Sequence, residues 1–329
     1  MYNARIKSLG VYIPERSVSN DEIGQRINYD NSVFEKDIIG QIFGIKTRFF
    51  ADQQTQVSDL ACLAAEKILG KHDANIDLLI FAAASSDMLE PATGNIIQSK
   101  LGLKCPVMDV KNACNSVVSA IQVATAFVMA GLYENILITC GEKLSEVINF
   151  NPRDHDHLMR CFAGYSLGDA GAALIIGKGE GSEILYQRFR SWGEHWDLCT
   201  VEGGGSRALR DPEKYYFEGK TWEMRNVFAE KGVPFINECF LESGWKKEEI
   251  DCVITHQVSG TTPAFIASNI GIPIEKFVNL FWKYGNTAAA SIPLAIHDAV
   301  ESGTLRKGNK IMILGLAAGI SVSVQFIIW

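Results

Sequence analysis

Residues 78–84 read Leu-Leu-Ile-Phe-Ala-Ala-Ala, seven positions without one polar side chain. A run so short and so apolar predicts a strand buried on both faces, and such strands belong to sheets covered by helices. The signal returns along the chain. Strands are expected over 107–110, 136–139 and 170–176, with helices over 96–101 and 116–130 between them. This βαβα order predicts an α/β fold, a mixed sheet with helices on both faces. The glycine-rich, polar break at 177–182 (GKGEGS) is the natural internal boundary, dividing an N-terminal half, 1–178, from a C-terminal half, 179–329. The second half repeats the rhythm: a strand over 253–255, a helix over 288–299, and strands over 311–314 and 322–328. Glycine-bearing turns between apolar strands (168–171 and 315–319) hint at an internal duplication. The stretch 192–222, rich in Gly, charge and aromatics, reads as loops.

Composition narrows the function. With 47% hydrophobic residues in 329, the chain can bury a large core, and 21% charged residues argue against disorder. The net charge is −7 and no Lys/Arg block occurs, so neither nucleic acid nor an anionic membrane surface is an expected partner. Eight cysteines, none in a CxxC pair, read as reduced and mostly buried thiols. The N-terminus lacks an apolar core and a cleavage site. The apolar stretch 117–132 is interrupted by Ser119, Gln122 and Thr125. The tail 311–329 is broken by Gly315, Gly319, Ser321, Ser323 and Gln325. No membrane insertion is expected, and a cytoplasmic enzyme is the plain expectation.

Three residues could carry chemistry together. Cys114 follows an apolar strand and opens a helix, where the positive end of the macrodipole and unpaired backbone N–H groups favour thiolate. A lone cysteine is more often a buried structural residue, and that setting alone decides nothing. His256 ends a strand in Thr255-His-Gln-Val-Ser259, and Asn286 stands ahead of a helix in the segment YGNTAAASIP, 284–293. Each by itself is more often a satisfied polar residue or a turn. As a set, a thiol with a neutral imidazole and an amide suits thioester chemistry, because the last two can donate to a developing oxyanion or enolate.

Four segments resemble the β-ketoacyl carrier-protein synthase III family of the thiolase superfamily: DVKNACNSVVSAIQV (109–123), LGDAGAALII (167–176), THQVS (255–259) and YGNTAAASIPL (284–294). With VYIPE (11–15) and GIKTR (44–48) the resemblance runs over nearly the whole chain. It implies a thiolase fold, a five-layered αβαβα arrangement of two duplicated halves, and a homodimer. It also implies an EC 2.3.1-class acyltransferase without a cofactor. Cys114 would take the acyl group from acyl-CoA or acyl carrier protein, and His256 and Asn286 would polarise the incoming thioester. The backbone N–H groups of Cys114 and Ala318 would form the oxyanion hole.

The departures from the family pattern matter too. The C-terminal turn is Leu316-Ala-Ala-Gly319 rather than a run of glycines; backbone donors survive an alanine. Ser259 stands where relatives continue to Asn. Thr261 stands where many carry a carrier-docking cation, and the helix after it (265–270) has no Lys or Arg. Ile38 falls near the place of a coenzyme A-stacking tryptophan. These point away from starting fatty-acid synthesis and towards specialised lipid or polyketide biosynthesis. Glu90, in the segment MLEPAT (88–93), stands where housekeeping relatives place an aromatic. It resembles the Glu-Pro segment of head-to-head acyl-CoA condensing enzymes, which implies a base acting across the dimer; an exposed loop acid is the plainer reading.

The expected function is carbon–carbon bond formation between two acyl thioesters through acyl-Cys114. The alternatives are acyl transfer from the cysteine to an alcohol or amine, and a subunit of a heterodimeric synthase. Asp154-His-Asp-His157 reads as solvated rather than metal-binding, so no metal is expected. Gly203-Gly-Gly205 lacks the setting of a phosphate loop.

Overall fold

The computed structural model describes residues 4–30, 37–70 and 75–329; Met1 to Asn3, part of the N-terminal reading above, lie outside them. The main sheet is built of β1 (Arg5–Tyr12), β2 (Leu78–Ala82), β3 (Val107–Val110), β4 (Asn135–Glu142), β5 (Ala170–Gly177), β6 (Ser182–Ser191), β7 (Cys252–Thr255), β8 (Lys310–Ala317) and β9 (Ser321–Ile328). The hydrogen-bonded order is β7-β8-β9-β6-β1-β5-β4-β2-β3. The run folds at β1–β6, joined only by Arg5↔Glu183 and Ile6↔Ser182. β7–β8, β2–β3 and β2–β4 are parallel, the remainder antiparallel.

Six helices fill the layers: α1 (Val57–Leu69), α2 (Thr93–Lys100), α3 (Ser116–Met129), α4 (Val233–Ser243), α5 (Thr262–Ile270) and α6 (Ser291–Glu301). α1 covers β1, β4 and β5 from outside, while α4 and α5 pack as a pair beyond β6 to β9. Between the two strand layers run α3 and α6. The Gln325 amide of β9 donates to the Val118 carbonyl of α3, and α6 touches β1, β5 and β7. The layers are therefore helix, strand, helix, strand, helix: the five-layered α/β arrangement of the thiolase fold.

Double-sided burial explains why these strands read as continuous apolar runs. In β8, Ile311 and Ile313 face the central helices, whereas Met312 and Leu314 face α4 and α5. Strand side chains alternate with period two, so both faces must be apolar here. α3 holds no charged residue and buries Val117, Val118, Ala120, Ile121, Ala124 and Val128, as a helix between two sheets must.

Some expectations shift. The 168–171 segment does not join two strands. It follows a 3-10 turn and leads into β5, with Asp169 buried and accepting from Ser145 and Ala51. The helix expected from residue 288 starts as a 3-10 turn, Ala288–Ala290, before α6. No described helix is long and apolar enough to cross a membrane. All eight cysteines are free thiols.

Candidate active site

Cys114 stands just ahead of α3, separated from it by the N-cap residue Asn115. Ala113 before the cysteine has φ 46°, a left-handed conformation rarely held by a residue with a side chain. The Asn115 amide, completely buried, donates to the Ser321 carbonyl (3.1 Å) and hydroxyl (2.9 Å), tying the cysteine turn to the start of β9. Ala318 lies in the turn just before that strand. A Cβ at Gly315 would meet the Asn115 oxygen at 2.2 Å, so only glycine lets β8 come this close.

The thiol itself departs from expectation. Burial, then the nearby Glu142 carboxylate, push the Cys114 thiol well above its ordinary range, with Cys199 adding to the effect. One helix terminus contributes about 1 kcal/mol, whereas burial shifts an ionisable group by several pH units. The helix end works against this rise without reversing its direction.

His256 directly follows β7 and is completely buried. Its backbone N–H donates to Leu314 of β8 (3.0 Å), and its Nδ1 lies 2.7 Å from the Ser291 hydroxyl. Nε2 has no hydrogen-bond partner among the described residues. Burial lowers the imidazole pKa to about 4, against a partial pull upward from the Ala288 backbone, so the ring is neutral at pH 7. A Ser291 hydroxyl donating to Nδ1 leaves the ring proton on the unpartnered Nε2.

Asn286 is held from both sides: its N–H donates to Ser166 (2.9 Å) and its carbonyl accepts from Gly168 (3.0 Å). Its side-chain oxygen accepts from the Ala288 N–H (2.9 Å), which turns the amide NH2 away from its own turn. Gly285 before it has φ 67°, and a Cβ there would meet the Ser166 carbonyl at 2.3 Å. Ala288 ties two of the three residues together. It caps the Asn286 side chain, and its methyl group shares an apolar cluster with Cys114.

Glu90 stands apart, exposed on the surface beside Met88 (49% exposed) and Leu89 (66%). Its loop is anchored nonetheless. Asp87 accepts from Ser58, and Asp109 accepts from the Thr93 and Gly94 N–H groups. The Asp154–His157 segment serves structure. Asp154 caps a short helix by accepting from His157, and the His157 ring turns inward between the Arg153 N–H and Glu218. Among the described residues no group of His, Cys, Asp or Glu is arranged to hold a metal.

Two family models of one enzyme match the chain. 3-Oxoacyl-[acyl-carrier-protein] synthase III covers residues 108–193, and its C-terminal domain covers 240–329, together more than half of the chain. The chain belongs to the 3-oxoacyl-[acyl-carrier-protein] synthase III family. Within it, the chain is 29% identical over 325 residues to the β-ketoacyl-[acyl-carrier-protein] synthase III of Neisseria gonorrhoeae, covering 97% of both proteins. Among solved structures it is similar to Xanthomonas campestris OleA in a histidine-to-asparagine form (TM-score 0.90, 26% identity, 99% of this chain and 98% of that one). It is also similar to the Aquifex aeolicus 3-oxoacyl-[acyl-carrier-protein] synthase III (TM-score 0.84, 26% identity, 99% and 100%). As a synthase III family member the chain is an acyltransferase that joins acyl thioesters by Claisen condensation.

Three features of this synthase III site were not singled out from the sequence: Glu142, Ser291 and Ala288. Glu142 is completely buried at the end of an apolar strand, an unusual place for a carboxylate, and that contrast was the available signal. Ser291 and Ala288 become visible only once the turn after Asn286 is folded.

Proposed function

We propose that Cys114 carries the first acyl group, that His256 and Asn286 bind the carbonyl of the second thioester, and that Glu90 of the partner subunit removes its α-proton. In acylation the Cys114 sulfur attacks the thioester carbonyl, a carbon–sulfur bond forms, and the donor thiol leaves with the cysteine proton. The second thioester then loses its α-proton, its α-carbon attacks acyl-Cys114, and the cysteine sulfur leaves, giving a 3-oxoacyl thioester. Backbone N–H groups of Cys114 and Ala318 would hold the oxyanion formed on attack. The halves 1–178 and 179–329 contribute the cysteine and the His/Asn pair respectively.

The single observation that carries this reading is the buried, neutral His256 with a partnerless Nε2. A buried polar atom left unpaired costs about 1–3 kcal/mol, and a developing negative charge on the second thioester is the partner it fits. Supporting the homodimer are the open edge of β3, whose Val107, Met108 and Val110 are only partly covered, and the anchored, exposed apolar loop carrying Glu90. The solved OleA variants replace a cysteine, a histidine and a glutamate, the residue types proposed here, and one OleA structure holds cerulenin.

Either coenzyme A or an acyl carrier protein could present the thioester. Although α5 has no cation of its own, the Arg225 guanidinium lies 4.0 Å from the Phe265 ring and brings a positive charge to that surface. With eight free thiols the enzyme suits the reducing cytoplasm. A second reading, activation by decarboxylation of a malonyl-type unit, is favoured by the names of the curated relatives. The test is product analysis with two non-carboxylated acyl-CoAs, compared with one acyl-CoA and a malonyl thioester. A 3-oxo product from the first pair supports deprotonation; a product only from the second supports decarboxylation; an ester or amide with an added acceptor overturns both.

A further inference from the structure

Glu142 ends β4 with its side chain completely buried, and no lysine or arginine pairs with it among the described residues. Four donors surround it. One oxygen accepts from the Ala84 N–H (2.8 Å) and the Ala289 N–H (3.2 Å). The other accepts from the Ser85 N–H (3.0 Å) and the Ser85 hydroxyl (2.8 Å). The Lys143 N–H donates to that same hydroxyl at 3.3 Å, which orients its proton towards Glu142. Three of the four contacts are backbone N–H groups, which can only donate, and the Ser85 hydroxyl is turned towards the carboxyl group by the Lys143 N–H. The pattern fits the ionised form, although burial pushes its pKa up.

The donors come from two places that matter. Ala84 and Ser85 begin the loop that carries Glu90, and Ala289 belongs to the turn whose first residue with a site role is Asn286. The same carboxylate raises the Cys114 thiol. We propose that Glu142 is a positioning residue, fixing at once the Asn286 turn that binds the second thioester beside Cys114 of its own chain and the loop that carries Glu90 into the partner's site, so that both sites of the dimer are set for condensation by the same carboxylate. This rests on the roles given above to Asn286 and Glu90. This arrangement depends on an acceptor with two anionic oxygens. An amide keeps the shape but turns its NH2 towards one pair of donors, so one of the two anchored segments must move.

The test uses the full-length enzyme and three readouts in Glu142→Gln and Glu142→Asp: Cys114 acylation, condensation from pre-acylated enzyme, and the pH profile of iodoacetamide alkylation. Glu142→Gln should acylate within a few-fold of wild type yet condense on the order of 10²-fold more slowly, the scale for a lost donor to a developing charge. Its alkylation profile should move to lower pH, because Glu142 and Cys199 are the titratable groups facing the thiol and one charge is gone. Glu142→Asp should restore the profile and part of the condensation rate. If Glu142→Gln does not fold, Ser85→Ala, which removes one donor, should show the same split between half-reactions at smaller size. Equal slowing of both half-reactions, or an unmoved alkylation profile, overturns the proposal. Wild-type enzyme that is not acylated at Cys114 would instead defeat the reaction scheme beneath it.

Discussion

Ala113 and Ala288 share a strained backbone: φ is 46° at the first and 40° at the second, and each stands within two residues of a site residue, Cys114 or Asn286. Holding a residue with a Cβ there costs of order 1–3 kcal/mol, and such strain persists only where the surroundings over-determine it. Here the Asn115–Ser321 bonds and the Asn286–Ala288 bond do so. Ala113→Gly should therefore stabilise the fold by up to about 1 kcal/mol, read as a higher urea midpoint, without loss of acylation. Ala288→Gly should gain less, because its methyl group is buried and is worth about 0.8 kcal/mol. Denaturation of the two variants side by side checks the order.

His256 should make stability depend on pH in a defined window. The unfolded imidazole takes a proton near pH 6.5, the folded one only near 4. Between these values the unfolded chain binds more protons, so this contribution falls as pH drops from 6.5 towards 4 and is constant above. The loss amounts to roughly 3 kcal/mol at full extent. His256→Asn should flatten urea midpoints measured between pH 4 and 7; an unchanged slope would show that His256 is not the group responsible.

His256 and Asn286 should matter more for the second substrate than for the first. Removing one donor to a developing charge costs on the order of 10²–10³ in rate. His256→Ala and Asn286→Ala should slow condensation by that factor while acylation of Cys114 continues. Single-turnover measurement of both half-reactions separates them, and parallel losses would assign the pair to the first step.

Glu90→Gln should leave the fold and Cys114 acylation intact, since the side chain is exposed on its own chain. It should abolish condensation of non-carboxylated thioesters while sparing a malonyl-type partner. Mixing Glu90→Gln with Cys114→Ala should recover activity, because a mixed dimer holds one site with an intact cysteine facing an intact glutamate. No recovery on mixing would contradict a base supplied across the dimer.

Much of this architecture is legible in the residues. Double-sided burial writes itself as unbroken apolar runs, so β2, β4, β5, β8 and β9 stand out, as does the uncharged α3. β6 does not: its sequence, Ser182–Ser191, alternates with charged residues, and Arg188 and Arg190 reach outward to Glu242 and Glu238. Cys114, His256 and Asn286 could be singled out as candidates because each stands at the end of an element in a motif of its own. The state of the thiol was not legible, since it depends on Glu142 and Cys199, which reach Cys114 only through the fold. The sequence offers Glu90 as a base acting across the dimer or as an exposed loop acid; the anchoring of its loop by Asp87 and Asp109 is a tertiary fact.

The covalent acyl-enzyme is the species on which the proposed reaction depends most directly. Wild-type protein incubated with a panel of acyl-CoAs and acyl-carrier proteins, followed by intact-mass measurement and peptide mapping, should gain one acyl group on Cys114, and adding a second thioester should discharge it into a 3-oxo product. Cys114→Ala should lose both signals and keep its fold. An adduct that persists in Cys114→Ala, or that maps to Cys199 in the wild type, would contradict it.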